Sequence, residues 1–184
     1  MRKYPYRVYY IATKQQREVI AIKIAGIVRD STVDGIGIRD VVFFQGCSHR
    51  CKGCQNPQTW SFDGGEHRFA GDVVKELSDS PNDITISGGE PLLQYQELLT
   101  FLEVIRRTTD KRVWLYTGSI VDPTKPFYRK LAEYIDVVVD GKYVEELKDK
   151  SLRFRGSSNQ RIIDLPKSVK EREIVLWEET YEEI

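Results

Sequence analysis

The chain predicts an α/β fold built from strand–helix repeats around a parallel sheet, on three observations. Short, continuously apolar runs, each closed by Gly, Asp or Thr, recur along it: VVFF (41–44), ITI (84–86), VWLY (113–116) and IDVVV (135–139). Strands buried on both faces read this way, because helices cover each side of a parallel sheet. Amphipathic helical patterns separate the runs, and a polar, glycine-bearing signal follows each run directly.

Before these repeats, RVYYIA (7–12) and VIAIKIAGIV (19–28), joined by the polar TKQQRE, read as a hairpin or as edge strands. DSTVDGIGIRD (30–40) is turn-rich, since Asp34, Gly35 and Gly37 break any regular period. The first helical pattern is AGDVVKEL (70–77). In QYQELLTFLEVIRR (94–107), Tyr95, Leu98, Leu99, Leu102 and Ile105 fall on one stripe, with charged residues opposite. KPFYRKLAEYI (125–135) is the third. In such folds ligands collect at the carboxyl ends of the strands. The polar signals after the four apolar runs, a cysteine loop, SGGEP (87–91), TGS (117–119) and DGK (140–142), therefore share one rim.

At 184 residues the chain suits one well-packed domain. Hydrophobic residues make up 40% and charged residues 30%, as in an ordinary globular protein. Lys and Arg total 28, as do Asp and Glu, and this balance argues against a broad nucleic-acid surface. No stretch approaches a membrane-spanning length, and the start lacks the apolar region of a signal peptide. A cytoplasmic location is the expectation.

The three cysteines sit within eight residues, in GCSHRCKGCQNPQTW (46–60). An odd number crowded into one loop makes no disulfide framework, and in a reducing compartment it points to metal ligation. Thiolates are soft ligands for iron–sulfur clusters, zinc and copper(I). A four-iron cluster usually takes four cysteines, so three leave one iron with an open position where a substrate can bind. The alternative is structural zinc with His49 or His67 as fourth ligand, although His49 lies between two of the cysteines and would strain the loop. In SGGEP, glycines without Cβ let the backbone approach a ligand closely, and a nearby carboxylate, Glu90, would suit an ammonium group; a tight turn is the alternative.

Cys-x-x-x-Cys-x-x-Cys after a strand, followed one strand–helix unit later by Gly-Gly-Glu, resembles the radical S-adenosylmethionine superfamily. That resemblance implies a partial (β/α) TIM-like barrel of about five to six parallel strands with an N-terminal β extension. It also implies one 4Fe–4S cluster on Cys47, Cys51 and Cys54, whose open iron is chelated by the methionyl amino and carboxylate groups of S-adenosylmethionine. A reduced cluster would then release methionine and a 5′-deoxyadenosyl radical. Gly88, Gly89 and Glu90 would take the amino group. Many members carry an aromatic residue just before the third cysteine; here it is Gly53, which offers only backbone toward adenine, beside Cys54 and Gln55. Thr117 would present its hydroxyl to the ribose or to methionine, or cap a helix. Lys142 would pair with the methionyl carboxylate, with Asp140 orienting Lys142 or holding a cation, or the two form a solvated surface pair.

Two further segments, VDGIGIRDVVFFQGCSHRCKGCQNPQTW (33–60) and VDGKYVEELKDKSLRFRGSSNQRIIDL (139–165), are similar to the anaerobic ribonucleoside-triphosphate reductase-activating proteins. The resemblance runs from about Ile22 to Leu165, giving a catalytic domain over 21–165 between extensions at 1–20 and 166–184. It implies hydrogen abstraction from a glycine near the C-terminus of the large reductase chain, and a flavodoxin-type electron donor. Arg153, Arg155, Ser157, Ser158, Asn159, Gln160 and Arg161 would line the cavity mouth or order a loop over it. The rivals are a small radical enzyme acting on a heterocycle, of the 7-carboxy-7-deazaguanine synthase type, and a zinc-binding interaction module. Ser in place of Cys51 is expected to abolish cluster assembly and activation while leaving the fold largely intact; wild-type-like activity would reject the ligand assignment.

Overall fold

The computed structural model describes residues 20–179. The strand expected over 7–12, and with it the hairpin reading and the 1–20 extension, lies outside the described residues. Seven strands form one mixed sheet: β1 (Ala21–Ser31), β2 (Arg39–Phe44), β3 (Glu66–Phe69), β4 (Asp83–Gly88), β5 (Val113–Tyr116), β6 (Val137–Asp140) and β7 (Arg161–Asp164). Four helices join them: α1 (Ala70–Ser78), α2 (Tyr95–Thr108), α3 (Pro126–Leu131) and α4 (Leu165–Glu171). The third helical pattern, read over 125–135, is helical only to Leu131 and continues as turns.

The strand order is β3-β1-β2-β4-β5-β6-β7. All four apolar runs became strands, and those four, β2, β4, β5 and β6, pair in parallel. The remaining three pair antiparallel, so five or six parallel strands overstate the count. The connections differ: one is too short for a crossover and the other carries no α-helix. A parallel return needs a crossover of about a dozen or more residues, and only a short turn-rich loop separates β1 from β2. The chain between β6 and β7 contains a single 3₁₀ turn, Glu145–Leu147, and no α-helix, and β7 comes back antiparallel.

Alternation along the parallel strands divides the interior. Val42, Phe44, Ile84, Ile86, Leu115 and Val138 face the helical layer, where Val73, Leu77, Leu98, Phe101, Leu102 and Ile105 meet them. The five buried apolar residues of α2, Leu98, Phe101, Leu102, Val104 and Ile105, contribute about 10 kcal/mol of gross transfer free energy before entropy is subtracted. Trp114, Val137 and Val139 point to the other face and pack with Tyr116, Phe154, Ile162 and Trp177. Both faces are thus covered, but by unlike layers: helices on one side, and on the other the loops that build the cavity. Helix α4 begins at the 165/166 boundary itself, capped by Asp164, which accepts from the Lys167 N–H. Trp177 stacks edge-on against Trp114.

Beneath the loop face lies Arg39, fully buried. Its guanidinium donates to Thr85 Oγ1 at 2.7 Å and to the carbonyls of Ile36, Ile84 and Arg112 at 3.1, 2.7 and 3.1 Å. Burial pushes its pKa down to about 10, so it stays protonated at neutral pH. Gly35 must lack a side chain here, because a Cβ would sit 2.7 Å from Arg39 Cδ. Arg39→Ala would strip the Thr85 hydroxyl and the Ile36, Ile84 and Arg112 carbonyls of a donor and open a void. A loss of about 3 kcal/mol is expected, read as a lower denaturant midpoint.

Candidate active site

The cysteine loop leaves β2 at Gln45 and is pinned before it reaches its first thiol. Gly46, at φ +100°, donates to the Thr59 carbonyl at 2.8 Å, and the Cys47 N–H donates to Trp60 at 3.1 Å. The buried Gln45 amide donates to the carbonyls of Ser61 and Gln58 at 2.6 and 3.3 Å. These contacts close the loop on itself, so residues 47–54 project as a fixed unit. Cys47 is buried, Cys51 and Cys54 are half-buried, and all three are free thiols. The Asn56 N–H approaches Cys54 Sγ at 3.4 Å, a contact of the kind that tunes a ligating sulfur.

The thiols face a cavity of about 590 Å³ at the carboxyl ends of the parallel strands, within the usual range for ligand sites. They lie close enough to sense one another. Burial pushes the Cys51 thiol up and the neighbouring Cys54 and Cys47 push it further, while a Tyr143 backbone hydrogen bond and the Lys142 charge pull it back. Three soft donors on one cavity wall, with Lys142 within electrostatic reach, suit a cluster whose irons each take one thiolate. Among the described residues no three His, Cys, Asp or Glu side chains gather tightly enough for a single ion. Neither candidate fourth zinc ligand is placed for the role. His49 is bonded to Glu90 at 2.9 Å, and His67 pairs with Lys23 in the β3 edge.

The glycine turn lies against this loop. Gly88, at φ +102°, would bring a Cβ to 2.5 Å from the Phe44 backbone, and a Cβ on Gly89 would run into the Gly46 carbonyl. The Gly89 N–H donates to Phe44 O at 2.8 Å and the Glu90 N–H to Gly46 O at 2.9 Å. Backbone crowding against β2 and the cysteine loop therefore requires both glycines, whatever else they do. Gly88, Gly89 and Ser87 line the cavity together with Cys47, Cys51 and Cys54.

Of the remaining expected residues, Gln55, Thr117 and Lys142 also reach the cavity, whereas Gly53, Glu90 and Asp140 do not. Gly53 adopts φ +72° beside the Glu145 carboxylate, on the outer side of the loop. The Thr117 hydroxyl donates to Glu90 Oε1 at 2.7 Å and accepts from the Ser119 N–H at 3.0 Å, so it serves the turn. Asp140 departs furthest from expectation. It is fully buried, takes both Nε and Nη2 of Arg161, and accepts from the Val121 N–H at 2.8 Å. It orients Arg161, a β7 residue, rather than Lys142.

The segment 142–160 forms the outer wall. Arg153, Arg155 and Gln160 line the cavity, while Ser157, Ser158, Asn159 and Arg161 order the wall from behind. Gln160 is its keystone: its Oε1 accepts from the Gly156 N–H at 2.9 Å and its Nε2 donates to Gly141 O at 3.0 Å. Asn159 donates to Lys142 O at 2.8 Å, and Tyr116, reaching up from β5, donates its hydroxyl to Phe154 O at 2.7 Å. Sequence reasoning missed Gln45 and Gln94. The Gln94 amide clamps the Lys23 backbone and Gln45 O at 2.8–2.9 Å, and nothing in its local pattern marks it.

A family model described as a 4Fe-4S single cluster domain matches residues 33–163. Proteins called anaerobic ribonucleoside-triphosphate reductase-activating protein are similar over most of the chain. The one from Haemophilus influenzae is 38% identical, covering 71% of this chain and 90% of its own. Those from Vibrio cholerae and Escherichia coli K12 are 37% and 36% identical, with 71% and 70% of this chain and 90% and 89% of theirs covered. Among solved structures, QueE from Escherichia coli superposes with a TM-score of 0.50 at 15% identity, covering 59% of this chain and 57% of that one, a likeness of fold. Asp140→Ala is expected to cost about 2 kcal/mol of stability, because it strips a buried N–H and a part-exposed guanidinium of their acceptor. Thermal melting of the cluster-free protein checks this, and an unchanged midpoint would return Asp140 to the cavity.

Proposed function

We infer the function of this chain from the family to which it belongs, the anaerobic ribonucleoside-triphosphate reductase-activating proteins: it is a radical S-adenosylmethionine activase that generates a glycyl radical on the anaerobic reductase. When bound, the reduced 4Fe–4S cluster gives one electron to S-adenosylmethionine, and the cleavage supplies the radical that takes a hydrogen from a glycine Cα. One observation carries the assignment of residues: three free thiols and a Gly-Gly turn, tied by two backbone hydrogen bonds, share one cavity at the strand ends.

Cys47, Cys51 and Cys54 hold the cluster and leave one iron open. The backbone of Ser87, Gly88 and Gly89 receives the methionyl amino group. Lys142, charged and exposed at the rim, pairs with the methionyl carboxylate. Gln55 and the loop backbone beside it take the adenine side. Thr117, already bonded on both sides, shapes the floor. The outer wall, self-bonded through Gln160 and Asn159, leaves a mouth for a loop of the reductase to enter.

The mixed sheet is read as an open partial barrel, with residues 21–165 as its catalytic unit and 166–184 as an extension, in which Val169 and Ile174 pack against the helical core and Trp177 on the loop face. Free thiols suit a reducing cytoplasm, and among the described residues no helix is long and apolar enough to cross a membrane. A flavodoxin-type donor follows by analogy with the family. The heterocycle reading is weaker, since relatives at 36–38% identity carry the activase name while the fold neighbour shares 15%. Mixing the reconstituted protein, reductant, S-adenosylmethionine and the organism's anaerobic reductase should produce a glycyl radical by electron paramagnetic resonance. Deoxyadenosine release driven by a small molecule, with no radical on the reductase, would overturn the reading.

A further inference from the structure

Three loops meet beneath the cavity floor, and one side chain holds all of them. Glu90 is 2% exposed. Its Oε1 accepts from the Leu92 N–H at 3.1 Å and from Thr117 Oγ1 at 2.7 Å, and its Oε2 from the Gly118 N–H at 2.8 Å and His49 Nε2 at 2.9 Å. A carboxylate offers about four lone-pair positions, so these four partners fill it. Glu90 therefore has no acceptor left for a ligand's ammonium and acts inside the protein.

Of its partners, Leu92 lies in the glycine turn's own continuation, and Thr117 and Gly118 follow β5. His49 alone among the four comes from the cysteine loop, two residues from both Cys47 and Cys51. Its ring is also wedged in place, since a Cβ on Gly118 would lie 2.5 Å from its Cδ2 and 2.8 Å from its Nε2. The contact is charge-assisted and shielded from water, which is where such a bond is strongest.

We propose that His49 is a positioning residue: by donating to Glu90 it sets the cysteine loop in register with the Gly88–Gly89 turn, and so fixes the open corner of the cluster relative to the methionyl subsite. The proposal rests on the cluster and S-adenosylmethionine reading above. His49 reaches the cavity wall, but its Nε2 is taken up by Glu90, so it acts through that contact. Its loss leaves all three thiols in place, so the cluster still assembles, while the two halves of the ligand's chelating end no longer meet their sites together. Gln carries an amide N–H at about the reach of His Nε2 and restores the bond; Ala does not.

Wild type, His49→Ala and His49→Gln are reconstituted anaerobically and assayed for iron and sulfide. S-adenosylmethionine is then titrated against each reduced protein while the paramagnetic resonance of the cluster is followed. All three should carry the same iron and sulfide. His49→Ala should need about tenfold more S-adenosylmethionine for the spectral change, as expected for one lost charge-assisted hydrogen bond, and His49→Gln should stay within about threefold of wild type. A wild-type midpoint in His49→Ala, or iron lost from it, overturns the proposal. If His49→Ala fails to fold, Gly118→Ala, whose added Cβ crowds the ring off Glu90 while every cysteine-loop residue stays unchanged, should show the same weakening, and a wild-type midpoint there overturns it equally. A wild-type protein that takes up no cluster, or does not respond to S-adenosylmethionine, would instead sink the activase reading.

Discussion

The site depends on how closely two stretches of backbone can approach. Gly89 and Glu90 donate their N–H groups to Phe44 and Gly46, the last strand residue and the residue just before the first thiol. No side chain fits between these strands of chain, and a Cβ at either Gly88 or Gly89 would strike main-chain atoms that cannot move aside. Two adjacent parallel strands therefore end in loops that behave as one body. Everything mounted on them, the thiols on one side and the cavity-facing glycines on the other, inherits its spacing from peptide geometry rather than from flexible side chains.

The two faces of the sheet divide the work. The helical face is apolar and supplies cohesion, with residues such as Phe44, Ile86 and Leu102 fully buried. The loop face mixes aromatic packing with buried polar groups: Arg39 tethers β2 to β4 and to the chain entering β5, and Asp140 tethers β6 to β7 through Arg161. No buried side-chain polar atom among the described residues lacks a partner, so this polar layer carries no desolvation penalty left uncompensated. Ordered polar cross-links between neighbouring strand ends keep the rim rigid where the cavity would otherwise weaken the packing.

Much of this was legible beforehand, for definite reasons. Runs such as VVFF and VWLY announce doubly buried strands because both faces are covered, and the cysteine spacing announces soft metal chemistry because nothing else explains it. The strands EHRF and RIID were not visible. The first alternates charge along an exposed edge, and the second is too short to show a period. Roles assigned to single polar residues failed where partners lay far off in sequence. Asp140 looks like a mouth residue beside Lys142 until Arg161, 21 positions on, claims it. Glu90 looks like a ligand until His49 and Gly118, 41 positions before and 28 after, fill it.

The outer wall formed by 142–160 has a chemical corollary. Cys51 and Cys54 are only half-buried, and an entrance wide enough for the proposed polypeptide loop would be far too wide to turn away a diatomic gas. Thiolates and iron held there meet dioxygen as readily as they meet a partner, and thiolate oxidation proceeds by steps of which the later ones are irreversible. Openness toward a macromolecular substrate would thus confine this architecture to surroundings without oxygen, or to moments when the partner itself plugs the entrance.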